Sequence, residues 1–185
     1  MPELPEVETV VRDLKKRVVG RKILDVWTDW PKYFKGLSLA QFKKYTVGKK
    51  ILGVSRRGKN ILIEIYDSHL ILVHLKMTGH LLAGTWKTTN NKTQTTKKEW
   101  KPDGKAKEMH DPKNGFIRLI LFLDSKEYPM LALSDMRRFA KVLCGPKENI
   151  LNLPDLKNLG PEALEVSYKE FRELFKTKKG KIKQV

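Results

Sequence analysis

Three apolar segments that follow one another in the first half of the chain place the strongest limit on its fold. Each is rich in β-branched residues and is separated from the next by glycine or polar residues: KKILGVSRR (49–57), NILIEIY (60–66) and HLILVHLKM (69–77). The pattern resumes later in three further runs: FIRLILFL (116–123), MLALSD (130–135) and RFAKVLC (138–144). Short runs broken at close intervals are typical of antiparallel strands. They predict a β-sandwich or a flattened barrel.

Residues 3–19 predict a helix that begins almost at the start of the chain. Its apolar side chains fall at spacings of three and four and form one stripe: Leu4, Val7, Val10, Val11, Leu14 and Val18. Glutamates occupy the first turn and basic residues come later, as the helix macrodipole favours. Because a packed helix follows at once, we expect Pro2 and Glu3 to be held firmly rather than frayed.

Between this helix and the first apolar segment, the sequence indicates two short elements. Residues 23–27 suggest a strand, and Ser38 is placed to cap a short helix that runs through Tyr45. The fold class that follows is mainly β with helices (α+β). We expect an N-terminal helix packed on a two-layer antiparallel β-sandwich, followed by a truncated helical segment.

Residues 84–114 interrupt the strand pattern with a stretch rich in threonine, lysine and asparagine. So polar a segment has little to bury, and it predicts a mobile surface insertion. Its lysines leave contact with DNA open as an alternative to a solvated loop. We therefore expect one β-sandwich domain over residues 1–153, with this insertion inside it.

The character of the chain changes again after Pro154. In SYKEFRELFKT, Ser167 and Glu170 form a capping-box pattern ahead of an apolar helix face. The final residues, KIKQV, look like the opening of another helix and stop without a cap. Residues 154–185 thus predict the beginning of a helical second domain that has been cut off.

The formal net charge of +17 comes from 38 lysines and arginines against 21 acidic residues. Such an excess attracts polyanions and favours a protein that binds phosphate backbones. Charge alone leaves open a ribosomal protein, a binder of membrane surfaces, or a protein whose lysines are simply solvated. The charge therefore favours nucleic acid as the partner without selecting a chemistry.

Cys144 is the only cysteine, so this chain forms no internal disulfide and no cysteine zinc site. It lies in an apolar run, which is typical of a small core residue. No uninterrupted apolar stretch reaches about 18 residues, and the acidic N-terminus lacks the pattern of a signal peptide. We expect a reducing, cytoplasmic setting and no cofactor within this chain.

The first residues, MPELPEVETV, contain a possible nucleophile. A small residue at position 2 favours removal of the initiator methionine, which leaves Pro2 with a free secondary amine that titrates near about 8. Such an amine can attack a sugar C1′ and form an iminium ion, displacing a base and acidifying the C2′ proton. Glu3 is adjacent and can move protons to and from the sugar. The alternative is structural, since Pro-Glu also suits the first turn of a helix.

Four later residues also admit structural or functional interpretations. Lys59 follows Gly58 in a tight turn between strands, where it can hold a phosphate, deliver a proton or simply be solvated. Met77 at a strand end is typical of a core gap-filler. Arg137 and Phe139 fall on the same side of a strand by alternation. They can read a base edge and wedge into a base step, or be an exposed charge beside a core aromatic ring.

PELPEVETV closely resembles the N-terminus of the formamidopyrimidine-DNA glycosylase family. Three further segments agree with the family in the same order: SRRGKNILIE (55–64), HLKMTGHL (74–81) and DMRRFAKV (135–142). The resemblance spans nearly the whole chain apart from residues 84–114. The sequence LPEVET favours the branch of the family that acts on oxidised purines over the endonuclease VIII branch.

The resemblance assigns catalytic roles to three residues. It implies that Pro2 is the nucleophile, that Glu3 shuttles protons, and that Lys59 is the proton donor in the elimination step. Met77 enters the space vacated by an extruded base, although this chain has Lys76 where family members commonly have glycine.

Further DNA contacts follow from the same resemblance. Arg137 faces the orphaned base and Phe139 kinks the helix, while Arg138 points elsewhere, to structure or to phosphate. His110 lies roughly where family members carry a DNA-contacting histidine, with an exposed loop histidine as the alternative. Basic residues near the end match the start of a helix-two-turns-helix region, among them Lys178 and Lys183, with a solvated tail as the competing interpretation.

The resemblance implies a bifunctional DNA glycosylase and abasic-site lyase of base excision repair. From it we expect a hydrolase that acts as a monomer on double-stranded DNA containing formamidopyrimidines or 8-oxoguanine. We also expect it to be cytoplasmic and nucleoid-associated, as in bacteria. The family's zinc finger would lie beyond Val185. Two alternatives stay open: a non-catalytic nucleic-acid module, and a truncated fragment that folds but hardly binds DNA.

Overall fold

The computed structural model describes residues 2–89, 99–103, 107–162, 165–176 and 180. Its strands are β1 Ile23–Thr28, β2 Ile51–Arg57, β3 Asn60–Ile65, β4 His69–His74, β5 Gly79–Gly84, β6 Trp86–Thr89, β7 Glu99–Pro102, β8 Ile117–Leu123, β9 Met130–Asp135 and β10 Lys141–Pro146. Its α-helices are α1 Leu4–Val18, α2 Leu39–Thr46, α3 Lys147–Leu151, α4 Pro154–Lys157 and α5 Tyr168–Lys176. Short 3-10 helices span Pro31–Tyr33, Lys107–His110 and Pro112–Asn114.

Within these residues the strands form two four-stranded antiparallel sheets and one hairpin. The first sheet has the order β1-β8-β9-β5, the second has the order β10-β4-β3-β2, and β6 pairs with β7. The predicted fold class, an N-terminal helix with a two-layer antiparallel sandwich, is confirmed.

Alternation along the strands sorts the apolar residues between two layers of packing. On β3, Ile61, Ile63 and Ile65 face the main core between the sheets. Leu62 points the other way and packs with Ile150 of α3 in a second cluster. Successive side chains of a strand lie on opposite faces, so a continuous apolar run such as NILIEI needs cover on both sides.

Helices α1 and α2 close the two open sides of the sandwich. α1 packs against β2 and β5, the edge strands of the two sheets, and α2 lies against β1 and β10 at the opposite edges. The buried stripe of α1 confirms the predicted spacing: Val7, Val11, Leu14 and Val18. Glu3 and Glu6 form a capping box at the start of α1, and Ser38 and Gln41 form one at the start of α2. Each box satisfies amide groups that a helix end leaves unpaired.

The prediction that residues 84–114 have little to bury is wrong for the described parts of that segment. The β6–β7 hairpin covers the outer face of the first sheet, where Trp86 and Met109 are buried against Ile120. Trp100 meets Trp27 edge-on, with ring centroids 5.3 Å apart. The segment is polar on average, but a few large apolar residues near its ends pack against the sheet.

The helical tail agrees in part with the sequence. Ser167 and Glu170 form the predicted cap, with the Ser167 hydroxyl donating to the Glu170 carboxylate at 2.7 Å, and α5 follows. α5 buries no side chain. The helix expected at KIKQV lies outside the described residues. Where the structure is described, no helix is both long enough and apolar enough to cross a membrane.

Candidate catalytic and nucleic-acid site

Antiparallel register brings the candidate residues to one end of the sandwich. Asn60, at the start of β3, pairs with His74 at the end of β4, and His74 pairs with Lys141 at the start of β10. Gly79 of β5 pairs with Asp135 of β9. The turns at residues 58–59, 75–78 and 136–140 therefore lie side by side, at the end where α1 begins. We call this the turn end of the molecule.

A cleft of about 530 Å³ opens at the turn end. Its walls come from the start of α1, the 75–78 turn, the Pro112–Asn114 helix and the residues around β8 and β9: Pro2, Glu6, Val10, Leu75, Met77, Thr78, Gly79, His80, Pro112, Lys113, Phe116 and Met136. A mostly apolar cleft of this size with a few polar groups is typical of a ligand site. Pro2 is half-buried in its wall.

Lys59 reaches the start of the chain from the neighbouring turn. Its ammonium forms an ion pair with the carboxylate of Glu3. Gly58 makes this geometry possible, because its φ of +55° is one that side-chain-bearing residues rarely adopt. The structure therefore places Pro2, Glu3 and Lys59 together, as three candidate residues from two separate elements.

Glu162, for which the sequence predicts no role, holds the turn that carries Lys59. Its carboxylate accepts the Gly58 amide at 2.6 Å, pairs with Arg56, and pairs with Arg57 at 3.3 Å. Arg56 also binds Glu8 of α1 at 2.6 Å, so one arginine links the helix to the turn. The only signal in the sequence was an acidic residue shortly after a Gly-Pro pair, which carries no chemistry by itself.

Burial and hydrogen bonding act in opposite directions on Glu162. Burial alone would raise the pKa of its carboxyl, but the Gly58 amide and the Arg56 guanidinium outweigh that effect and hold the pKa below its ordinary value. Hydrogen bonds from Arg56 and Arg12 likewise lower the pKa of Glu8. Both carboxylates are thus stabilised in their charged form.

Met77, Arg137 and Phe139 form an exposed group at the rim of the cleft. The Arg137 guanidinium lies 4.7 Å from the centre of the Phe139 ring, and its Nη1 lies 3.4 Å from the Met77 sulfur. Strand alternation was the wrong reason for expecting Arg137 and Phe139 on one side. β10 starts only at Lys141, and residues 136–140 form a turn in which Arg138 has a φ of +59°.

Arg138 points away from that group. Its guanidinium stacks over the Trp30 ring at 4.6 Å and lies 3.7 Å from the Asp29 carboxylate.

Asp135 joins the two turns and was also missed by the sequence analysis. This fully buried carboxylate accepts hydrogen bonds from the Thr78 hydroxyl at 2.5 Å, the Ala140 amide at 2.8 Å and the Tyr33 hydroxyl at 3.1 Å. Thr78 in turn accepts the Arg137 amide at 3.1 Å. Burial and the Asp135 charge raise the pKa of Tyr33 far above its ordinary value. An aspartate inside the apolar run MLALSD was the available signal, because a buried charge needs partners.

Comparison with known proteins agrees with this architecture. The model of the formamidopyrimidine-DNA glycosylase N-terminal domain matches residues 1–142 of the 185-residue chain. The chain belongs to the formamidopyrimidine-DNA glycosylase family. The match covers the whole sandwich up to the first residues of β10 and includes every turn that forms the cleft.

Individual relatives extend the similarity into the tail. A formamidopyrimidine-DNA glycosylase of Pelotomaculum thermopropionicum is 35% identical over 167 residues, which is 89% of this chain and 51% of the relative. One from Lactococcus lactis subsp. lactis is 32% identical over 185 residues, 99% of this chain and 58% of the relative. The chain thus spans between one half and three fifths of the length of these glycosylases.

Solved structures of the family superpose on the chain. The Lactococcus lactis Fpg bound to DNA containing an abasic site has a TM-score of 0.73 at 30% identity, covering 99% of this chain and 59% of that one. MutM in complex with DNA containing carbocyclic 8-oxo-G has a TM-score of 0.69 at 30% identity, covering 94% and 55%. Both of these glycosylase structures are complexes with DNA.

Other residues expected to contact DNA in this glycosylase family are placed as follows. His110 is exposed at the end of its 3-10 helix, two residues before Pro112 of the cleft. Lys178 and Lys183 lie outside the described residues. His74, for which no DNA contact is predicted, accepts the Lys76 amide at 3.0 Å through Nδ1, and burial lowers the pKa of its ring. In the described ranges, no three His, Cys, Asp or Glu side chains come together as a metal site.

Proposed function

We propose that the chain is the catalytic part of a bifunctional DNA glycosylase and abasic-site lyase of base excision repair. It excises oxidised purines such as formamidopyrimidines and 8-oxoguanine from double-stranded DNA, in the cytoplasm and as a monomer. The observation that carries this proposal is the position of Pro2. It lines a cleft of about 530 Å³ while the adjacent Glu3 pairs with Lys59.

The first chemical step forms a bond between Pro2 and the lesion's sugar. Once Met1 is removed, the neutral Pro2 nitrogen attacks C1′, and the glycosidic bond breaks as the base leaves. The Glu3 carboxylate takes the proton that the attacking nitrogen loses and delivers it to O4′ as the C1′–O4′ bond opens, which leaves an iminium ion. The departing base takes its proton from water. The ion pair with Lys59 fixes the carboxylate of Glu3, the residue that follows Pro2 in the chain.

The second step cleaves the strand. The iminium ion makes the C2′ proton acidic. Transfer of this proton to the Glu3 carboxylate pushes electrons toward C3′ and breaks the C3′–O bond. The departing phosphate takes the Lys59 proton, and water then hydrolyses the iminium ion to release Pro2. Lys59 suits this role because its turn is fixed by Glu162 rather than being mobile.

A base in a stacked duplex is out of reach of this cleft, so the nucleotide must be extruded. Met77, Arg137 and Phe139 are suited to occupy the gap, since all three are exposed at the rim and Arg137 contacts the other two. Apolar wedges of this kind unstack and kink a base step.

Borohydride reduction tests the nucleophile. We expect a covalent adduct between the protein and an 8-oxoguanine duplex, and peptide mapping should place it on Pro2. Pro2→Gly should trap and cut more slowly, with Pro5→Gly as a control near the same helix start. Trapping at the wild-type rate, or an adduct mapped to Lys59, would show the assignment to be wrong.

The second candidate is a non-catalytic or inactive DNA-binding fragment of the same family. It is favoured by the formal net charge of +17, which attracts a phosphate backbone without requiring any chemistry. Mass spectrometry of the N-terminus separates the two, because a retained Met1 blocks the amine. Tight, lesion-selective binding without any trapped adduct would support this candidate, and binding that vanishes with modest salt would support a fragment that hardly recognises DNA.

A further inference from the structure

A second depression lies on the far side of Met77 from the cleft. It measures about 520 Å³ and is lined by Trp30, Lys32, Lys35, Lys76, Met77, Arg138, Phe139 and Ala140. Four of these side chains are cationic, and two are the aromatic residues Trp30 and Phe139. Met77 forms a wall of both hollows, so this basic groove begins where the cleft ends.

Two residues of the basic groove have a backbone conformation that normally requires glycine. Lys76 has a φ of +55° and Arg138 a φ of +59°. Each stands immediately before a residue of the exposed rim, Met77 and Phe139. In the described part of the chain the other non-glycine residues with positive φ are Asp67 and Ser68, in the β3–β4 turn. Strained residues persist where the surroundings or a function require them, and here both strained residues are cations.

The two cations differ in what they already bind. The Arg138 guanidinium is engaged by the Trp30 ring and by Asp29. Lys76 is exposed, and among the described residues its ammonium forms neither a hydrogen bond nor an ion pair, although its backbone amide donates to His74. After burial, the charge of Lys76 is the next cause that lowers the pKa of His74. A glycine would hold this turn without strain, so packing does not explain the lysine.

We propose that Lys76 binds a backbone phosphate of the duplex next to the extruded nucleotide, with Lys32 and Lys35 as the other cations of the same groove. The inference rests on the proposed function for its partner, DNA. Met77 and Phe139 both line the groove, so phosphates that flank a gap filled by these two side chains would lie over it. Duplex DNA carries one negative charge for about every 1.7 Å of its axis, which matches a row of cations better than any uncharged ligand does.

Lys76→Gly separates this role from a structural one. The substitution removes the charge and also relieves the strain at φ +55°, so the melting temperature should be unchanged or higher. Binding to a duplex with a tetrahydrofuran abasic analogue should nevertheless weaken by roughly eightfold at 0.1 M salt. The slope of log K against log salt should fall by about 0.9, as the loss of one phosphate contact implies.

Matched variants complete this experiment. Lys76→Gln, which keeps the length of the side chain, should reproduce the loss, and Lys76→Arg should retain both affinity and slope. Lys126→Gln removes an exposed lysine from the β8–β9 turn, at the end of the sandwich opposite the turn end, and should change neither. If Lys76→Gly binds with the wild-type slope while the wild-type chain binds the duplex, this inference fails and the proposed function stands. If the wild-type chain does not bind the duplex, the proposed function itself fails.

Neutral methylphosphonate linkages, introduced one at a time around the abasic analogue, locate the phosphate. A neutral linkage at one flanking position should weaken binding by the wild-type chain. The same linkage should cause no further loss in Lys76→Gln, whereas neutral linkages at other contacted positions should still weaken its binding. Losses that add to those of Lys76→Gln at every position would overturn the assignment.

Discussion

The hydroxyl of Thr78 donates a 2.5 Å hydrogen bond to the buried carboxylate of Asp135. Through this bond and the one from the Ala140 amide, a single side chain spans the turn that carries Met77 and the turn that carries Phe139. Residues that are far apart in sequence are thereby held at one rim. The rim is rigid because its anchor belongs to the core of the sandwich.

Asp135→Asn should destabilise the fold by about 2 to 3 kcal/mol, because it weakens hydrogen bonds to a buried charged group while keeping the side chain's shape. Urea unfolding followed by tryptophan fluorescence measures the loss. Asp103→Asn is the control, since its ion pair with Lys87 is exposed, and it should cost no more than about 0.5 kcal/mol. Equal midpoints for the two variants would show that the Asp135 carboxylate does not anchor the turns.

Glu162→Gln should slow strand cleavage more than it slows adduct formation. The substitution weakens the hold on Gly58 and Arg56, so Lys59 is positioned less well, while Pro2 remains fixed by α1. We expect a loss in kcat for cleavage of about tenfold with little change in KM. The ratio of cleaved strand to borohydride-trapped adduct measures this selective loss of cleavage. Glu165→Gln, at an exposed position, should leave the ratio unchanged.

Acid should unfold the chain partly through Glu8 and Glu162. The pKa values of both carboxyl groups are lower in the folded protein than in the unfolded chain, where they are about 4.3. The stability that the two groups contribute is therefore present above that unfolded pKa and is lost as the pH falls through the pKa of the folded state. In Glu162→Gln, the free energy of unfolding should therefore fall less steeply below about pH 4. Measuring the urea midpoint as a function of pH tests this prediction. The same pH dependence below about pH 4 in Glu162→Gln and the wild-type chain would contradict it.

Phe139→Ala should separate stability from DNA binding. The side chain is 51% exposed, so its removal should change the free energy of unfolding by no more than about 0.5 kcal/mol. Affinity for a duplex with an abasic analogue should fall by about tenfold or more if the ring stacks in the gap, given about 1 to 3 kcal/mol per stacked base. Tyr66→Ala is the control, because Tyr66 is exposed at the opposite end of the sheet.

Cys144 should resist thiol reagents in the folded protein. Burial raises the pKa of its thiol to about 12, so almost no thiolate is present at pH 8. We expect labelling by a disulfide reagent only in denaturant, at a rate that follows global unfolding. Rapid labelling of the native protein would show that β10 opens locally.

Local patterns predicted much of this fold. The stripe from Val7 to Val18 defines α1, and the Ser38 and Ser167 caps mark two helix starts to within a residue. These features depend on neighbours three or four positions apart, which a sequence displays directly. The family resemblance supplied the candidates Pro2 and Lys59, because their roles depend on chemistry that no periodicity encodes.

The remaining features depend on contacts between distant parts of the chain. Glu162 meets Gly58 across 104 positions, and Tyr33 meets Asp135 across 102. The burial of Trp86 and Met109 depends on an outer sheet face that exists only after the sandwich has formed. None of these pairings leaves a local trace, so neither the roles of Glu162 and Asp135 nor the packing of residues 84–114 could be predicted from the sequence.

Because α1 packs across the edge strands of both sheets, the number of residues between Pro2 and Val7 determines where Pro2 lies. Each residue of an α-helix advances the chain by about 100° and about 1.5 Å. One amino acid inserted or deleted before Val7 would swing Pro2 out of the cleft wall while leaving the sandwich intact. Random libraries should therefore tolerate substitutions on the exposed face of α1 far better than changes in its length, and fusion partners belong at the other terminus.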